Sequence, residues 1–397
     1  MCAAKRRAGV GVVGAERGSS DVGENSGGKC VSGQESGKAE EVRRMGKAVR
    51  WLGVGLAGLV IGAVAVVRGP SAVQAEGRER VTIGAVDNLL SAVAMVAVSR
   101  GFYAKHGVDA ELKLYRSGQE VAKALAAGDV IFGTSAINNF QAEIQAGLEN
   151  VAYIVIMGDG ASRDNDRPLA IVAAPGSGIG APHDLRGKTI GLSLGGTAEL
   201  YLRAVLEKTG LSADRDVRMV QVLPANSAQA LRARQVDGIC TWEPWNTQAV
   251  REVPGAVEVV RGGGHFNYVI LGLTKKETLR NRPELVKREI RAKAEAAWWI
   301  RRNPAEAAAT VATWLPGLGV DLLREALRNV PFDVRVTGYT RIAWDQSYRL
   351  LSRWGRLRGP VAMQGWVDTR LLNEVIRENP VWFTDLKRVQ LLQLRSW

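Results

Sequence analysis

From Val81 onward, short apolar runs alternate with helix-length amphipathic stretches, and the alternation occurs twice. The first block reads "RVTIGAV", a helix over 92–103, "VDAELKLY", a helix over 119–127, "VIFGTS", a helix ending at Ala146, and "VAYIVIM". The second reads "LAIVAA", "KTIGLSL", a helix from Thr197, "VRMVQVL", a helix from Ser227, "GICTW" and "AVEVV". Strands this short and apolar, separated by helices, predict a parallel sheet covered on both faces. Two such blocks predict two α/β lobes. "YVILGL" at 268–273 is the last clear strand. Beyond it, "RPELVKREIRAKAEAAWWIRR", "NPAEAAATVATWL" and "VDLLREALRNV" carry helix-start signals and apolar residues at three- and four-residue steps. Trp298, Trp299, Trp314, Trp344 and Trp354 fit the core or the packing between lobes.

One turn poses a chemical choice. In "GLSLGGTAELYLRAVLEKTG", Gly191 to Gly210, a strand breaks into two glycines and a threonine before a helix. Residues 191–195 match G-x-S-x-G between strand and helix, the setting of a nucleophile elbow. A serine esterase built there would use Ser193 as nucleophile, His265 as base, and Asp214, Asp216 or Asp237 to orient it. The long helical stretch after His265 argues against that, because a hydrolase histidine sits on a late loop of its sheet. The other reading uses the helix itself. Ala198, Tyr201, Leu202, Val205 and Leu206 form its buried face and Gly210 ends it. Gly195, Gly196 and Thr197 then form an exposed N-terminus whose backbone N–H groups lack intrahelical partners and attract an anion. The Thr197 hydroxyl would cap the helix or donate to a ligand.

The pattern recurs. "RSGQEVAKAL" sets Ser117 and Gly118 before a helix, "FGTSAINNF" does so with Thr134 and Ser135, and "PANSAQAL" with Asn226 and Ser227. Each alone is ordinary helix capping. In parallel sheets, however, these turns gather at the carboxyl rim, and two facing rims make a cleft.

Other chemistries lack their residues. G-x-G-like stretches at Gly9 and Gly53 lie far from the strand–helix blocks, and that at Gly176 leads into a turn, so none reads as a dinucleotide site. His106, His183 and His265 are scattered and no Cys-x-x-Cys occurs, which leaves no metal site and no cofactor implied. Residues 1–44 are rich in Gly, Ser and charge without apolar period, and read as disordered. The apolar run Val49–Val67 follows "RRMGKAVR" and precedes Val73 and Ala75, the grammar of a secretory signal cleaved after Ala75 with Met45 as a natural start. An uncleaved membrane anchor is the other reading of that run. Cys2 and Cys30 fall in the leader, so Cys240 has no partner for an internal disulfide. The chain's net charge of +13 includes about +8 after Ala75. That balance suits anionic small ligands or an anionic membrane surface, and no basic stripe interleaved with aromatics suggests nucleic acid.

Three stretches in succession, "SRGFYAKHGVDAELKLYRSGQEVAKALAAGDVIFGTSA", "DLRGKTIGLSLGGTAELYLRAVLEKTGL" and "VQVLPANSAQALRARQVDGICTWEPW", resemble the nitrate/sulfonate/taurine (SsuA/THI5-like) substrate-binding proteins of ABC importers. The resemblance implies a type II periplasmic binding fold, with two lobes joined by a hinge and a ligand cleft between them. The lobes would be 76–167 completed by 269–397, and 168–268. The implied partners are a small-molecule solute and an importer permease in the membrane, the protein acting as a monomer without enzymatic activity. Carried over by position, the pocket would draw on Asn88, Leu89, Ser91, Ser117, Gly118, Thr134, Ser135, Gly196, Thr197, Asn226, Trp242 and Glu243. "AGDVIFG" has Ile131 where the family commonly has an aspartate, a change expected to alter packing. A cleft of helix N-termini favours an oxyanion such as sulfonate, nitrate or carboxylate. Glu243 would repel one unless the ligand is a zwitterion or the carboxylate points elsewhere. Trp242 would stack on a planar ligand or wall the cleft. Enzymes of this wider fold, the pyrimidine synthases of thiamine biosynthesis, carry a cysteine-rich motif, and Cys240 stands alone. A sensor reading the same closure is the remaining alternative.

Overall fold

The computed structural model describes residues 78–163 and 165–396. The leader readings fall outside these residues. Among the described residues, ten strands form two five-stranded sheets. The first has the order β2-β1-β3-β10-β4, with β1 Glu79–Val86, β2 Val108–Tyr115, β3 Phe132–Ala136, β4 Asn150–Met157 and β10 Ile270–Lys275. The second has the order β7-β6-β8-β5-β9, with β5 Leu169–Ala173, β6 Thr189–Leu192, β7 Arg218–Gln221, β8 Gly238–Trp242 and β9 Val257–Arg261.

The expected all-parallel sheets are corrected to mixed ones. β1, β2 and β3 run parallel, as do β6, β7 and β8, each joined by crossover helices. β10 pairs antiparallel with both β3 and β4, and β5 antiparallel with both β8 and β9. These two reversed strands are the first that the chain lays down after each passage between sheets. Their direction follows from where the chain enters, which a crossover helix does not control.

Burial follows position in the sheet. β2 alternates buried and exposed residues and β7 is half exposed, as edge strands with a solvated face do. β4 is also an edge strand, yet all eight of its residues are buried. Backbone from 334 and from 366–368 bonds to it, through Ala152 N–H to Trp366 O at 2.9 Å and Val155 N–H to Val334 O at 3.3 Å. The C-terminal region thereby covers an edge that would otherwise template foreign strands.

The predicted helix over 92–103 is two, Ala92–Ser99 and Phe102–Lys105, because Gly101 between them takes φ 71°. Helices Pro283–Arg302, Gly338–Arg353 and Arg370–Glu378 pack on the first sheet's elements. Trp344, as expected, is core: 1% exposed, its Nε1 donating to Val361 O at 2.7 Å. His106 follows the end of helix Phe102–Lys105 as its C-cap. It is half buried, 2.8 Å from Glu295 and edge-on to Trp382.

Candidate functional site

A cavity of about 330 Å³ lies where the carboxyl ends of the parallel strands in both sheets meet. From the first sheet come Val86, Asn88, Leu90 and Ser91 after β1, Arg116 to Glu120 after β2, and Thr134, Ser135 and Ala136 at the end of β3. Tyr268 and Ile270 enter at the start of the antiparallel β10. The second sheet gives Ser193, Leu194, Gly196 and Thr197 after β6, Leu223 and Pro224 after β7, and Trp242 at the end of β8.

Nine of the twelve sequence-selected residues are among these: Asn88, Ser91, Ser117, Gly118, Thr134, Ser135, Gly196, Thr197 and Trp242. Three lie elsewhere. Leu89 begins a 3-10 turn and is fully buried in the core. Asn226 lines a separate surface pocket with Gln229 and Gln235. Glu243 is fully buried, its Oε1 accepting from Arg261 at 2.5 Å, Thr247 at 2.8 Å and Asn329 at 2.6 Å. Burial raises the Glu243 carboxyl against the opposing pull of Arg261. It therefore ties the second sheet to the C-terminal region and presents no charge to the cavity. Sequence reading passed over Arg116, Asn139, Leu223 and Tyr268; for Arg116 a signal existed, its position just before Ser117-Gly118.

Local sequence explains the donors. Ser117 is extended and its Oγ accepts from Glu120 N–H at 3.2 Å, an N-cap that starts helix Gly118–Ala127 facing the cavity. Asn88 spends Oδ1 on Leu90 N–H at 3.0 Å, which leaves its Nδ2 to donate. Trp242 lines the cavity, and its Nε1 is buried without a protein partner.

The glycine turn differs in part from its sequence reading. Gly195 takes φ 78° and Gly196 is extended, and helix Thr197–Lys208 follows. Thr197 is buried, 4% exposed, so this helix start faces the cavity and not bulk solvent. Its hydroxyl donates to Asn138 Oδ1 at 3.2 Å, a bond from the second lobe to the first. Glu199 also folds back, accepting Gly195 N–H at 2.7 Å and pairing with Arg203 at 2.8 Å and Arg356 at 2.7 Å. Burial alone would raise the Glu199 carboxyl, but the Gly195 N–H and the two guanidinium groups hold it below its ordinary range. Part of the helix's positive end is thus already answered from within.

The esterase geometry does not form. Ser193 lines the cavity, but it lacks the positive φ of a strained elbow. His265 is not among the cavity's lining residues and packs edge-on against Tyr201. Asp214 pairs with Arg203, Asp216 with Arg186, and Asp237 accepts Thr189 N–H. Cys240 is buried, its thiol pushed up by burial and donating to Ala198 O at 3.2 Å. Among the described residues no group of His, Cys, Asp and Glu could hold a metal ion, and no helix is long and apolar enough to cross a membrane.

The family model described as NMT1/THI5 like matches residues 88–307, more than half of the chain. The chain belongs to the NMT1/THI5-like family. A putative binding protein of Brucella abortus is 28% identical over 228 residues, covering 57% of this NMT1/THI5-like chain and 68% of the relative. Solved structures share the fold. The alkanesulfonate-binding protein SsuA of Xanthomonas axonopodis pv. citri has a TM-score of 0.63 at 20% identity, over 72% of this chain and 97% of that one. The periplasmic nitrate-binding protein NrtA of Synechocystis has 0.63 at 15%, over 77% and 90%. The desulfurization enzyme DSZB has 0.57 at 19%, over 76% and 100%, so the fold alone does not separate binder from enzyme. What NMT1/THI5-like membership leaves to geometry is the content of the cavity.

Glu143 behind the cavity adds a pH signature. It is buried on helix Ile137–Gln145, accepts Ser135 Oγ–H at 2.8 Å, and burial pushes it up to about 7 from an ordinary 4.5. A raised carboxyl contributes no penalty while protonated, so its share of stability is full below about pH 4.5 and is lost as pH rises through 7. The loss should reach roughly 3 kcal/mol by pH 8. Urea titrations of wild type and Glu143→Gln should diverge across that window; an equal gap at pH 5 and pH 8 would refute the assignment.

Proposed function

We propose that this chain is an exported solute-binding protein that captures a small organic oxyanion and delivers it to an ABC importer. The observation that carries the reading is the cavity between the lobes, where hydroxyls and two helix N-termini converge. These are donors held ready for an acceptor-rich guest, with Arg116 at the rim for charge. The alkanesulfonate-binding SsuA and the nitrate-binding NrtA, which share the fold, support the same class of ligand. Between them, the walls favour an anion with a carbon body. About 330 Å³ far exceeds a bare nitrate, and Leu90, Ile270 and the Trp242 ring line it. Leu194 and Leu223, 44% and 51% exposed, add apolar surface at the second lobe's side.

In this reading the leader is cleaved after Ala75, and the mature protein acts as a monomer. Its lobes, 76–167 with 269–397 and 168–268, close by a hinge at the two crossings. Closure is favoured by the bonds Thr197–Asn138 and Glu199–Arg356, which join the second lobe to the first lobe and its C-terminal helices. Thermal-shift and calorimetric titration against butanesulfonate, taurine, nitrate, bicarbonate and a dicarboxylate tests it. An organic sulfonate should bind more tightly than nitrate, and at 100 times its Kd should stabilise by about 2.7 kcal/mol. No binding by any of the five, or turnover of a bound compound, would defeat the reading.

A further inference from the structure

Glu143 has a place in binding as well as in stability. Ser135, at the end of β3, lines the cavity, and its one hydroxyl proton goes to Glu143 Oε1 at 2.8 Å. Glu143 Oε2 is buried without a hydrogen bond. Asn150 is the other polar group against the carboxyl, and no charged group acts on it. The elements packed on its helix carry Glu120 and Lys123, and Arg341, Asp345, Arg349 and Arg353; all six are solvent-exposed. Tyr339 and Tyr348 of helix Gly338–Arg353 do not act on it either.

A serine hydroxyl has one donor. While Glu143 is ionised, that donor is committed to it and Ser135 offers the cavity only lone pairs, which an oxyanion meets as repulsion. A protonated Glu143 reverses the bond: its own O–H donates to Ser135 Oγ, and the Ser135 proton is released toward the ligand. We propose that Glu143 is a proton-linked positioning residue which, through Ser135, couples oxyanion capture to the uptake of one proton from solvent. The coupling rests on the reading of the cavity as an oxyanion site. It operates near neutrality, because burial pushes the carboxyl up to about 7. By reciprocity, loss of that proton weakens the hold on the anion.

Calorimetric titration with butanesulfonate and with nitrate tests this, since both stay fully ionised from pH 5.5 to 9 and any pH dependence belongs to the protein. For whichever binds more tightly, Kd should rise up to about tenfold per pH unit above 7. Buffers of different ionisation enthalpy should report uptake of about one proton on binding at pH 8. Glu143→Gln, neutral throughout and able to donate its amide to Ser135, should flatten the profile and keep its pH 6 affinity at pH 8.5. Ser135→Ala should bind more weakly at pH 6, also with a flat profile, and serves if the glutamine variant fails to fold. Wild-type binding without pH dependence or proton uptake would overturn the proposal, as would a profile that Glu143→Gln retains. If neither anion binds at any pH, the oxyanion reading itself fails and the coupling falls with it.

Discussion

Lys293→Met should cost the folded protein about 3–5 kcal/mol. Lys293 and Glu289 are one turn apart on helix Pro283–Arg302, ion-paired, and both side chains are completely buried. Tyr153 of β4 donates to Glu289 Oε1 at 3.0 Å, so the pair joins the helix to the sheet it covers. Removing the ammonium strands a carboxylate where water cannot reach it, and that penalty exceeds the value of the pair itself. Domains of this kind have about 5–15 kcal/mol in all, so urea midpoints should fall sharply. Lys293→Met with Glu289→Leu, which removes both charges, should recover most of the loss. A single variant as stable as wild type at pH 7 would show that water reaches the pair and that the helix is held by its apolar face alone.

That pair also marks the limit of what local sequence conveys. "RPELVKREIRAKAEAAWWIRR" declares a helix, and its charges at four-residue spacing read as a solvated face. Burial of Lys293 and Glu289 depends on the sheet and on helices contributed from elsewhere in the chain. The strands were legible for the opposite reason: β4, β5 and β8 are apolar enough to require cover on both faces wherever they lie. Strand direction was not, because β5 and β10 are reversed by the crossing between sheets rather than by their own residues.

The site divides along the same line. Ser117, Thr134, Ser135 and Gly196 were visible because a helix start after a strand is a local event, and topology brings such starts to one rim. Glu243 looked like a cavity residue from "TWEPW", yet its position is set by Arg261 and Asn329, 18 and 86 residues away in sequence. Glu143 reads as one more polar position in "INNFQAEIQ" and becomes a buried acid only when helix Gly338–Arg353 packs over that segment.

Gly196→Val should weaken oxyanion binding at least about 100-fold, close to 2.7 kcal/mol, while leaving the fold intact. Gly196 has φ −106°, which any residue adopts, and an added Cβ would meet only Ser193 O at 3.7 Å and Ser193 Oγ at 3.9 Å. Neither contact is tight, so the substitution is accommodated, and the valine methyl groups fill cavity space in front of the first N–H groups of helix Thr197–Lys208. Those N–H groups have no intrahelical acceptor. Each bond from one of them to a charged ligand is worth about 1.5–3 kcal/mol. The field of the helix contributes less than its sequence suggests, because the Glu199 carboxylate already sits at that end, bound to Gly195 N–H. Thr197→Ala should act differently: its hydroxyl is engaged with Asn138 across the lobes, so its loss loosens closure and costs about 0.5–1.5 kcal/mol. Calorimetry of both variants, with circular dichroism to confirm folding, separates blockage from loosened closure. Wild-type affinity in a folded Gly196→Val protein would place the anion on the opposite rim, at Arg116, Ser117 and the N-terminus of helix Gly118–Ala127, and would leave the glycine turn only the task of starting its helix.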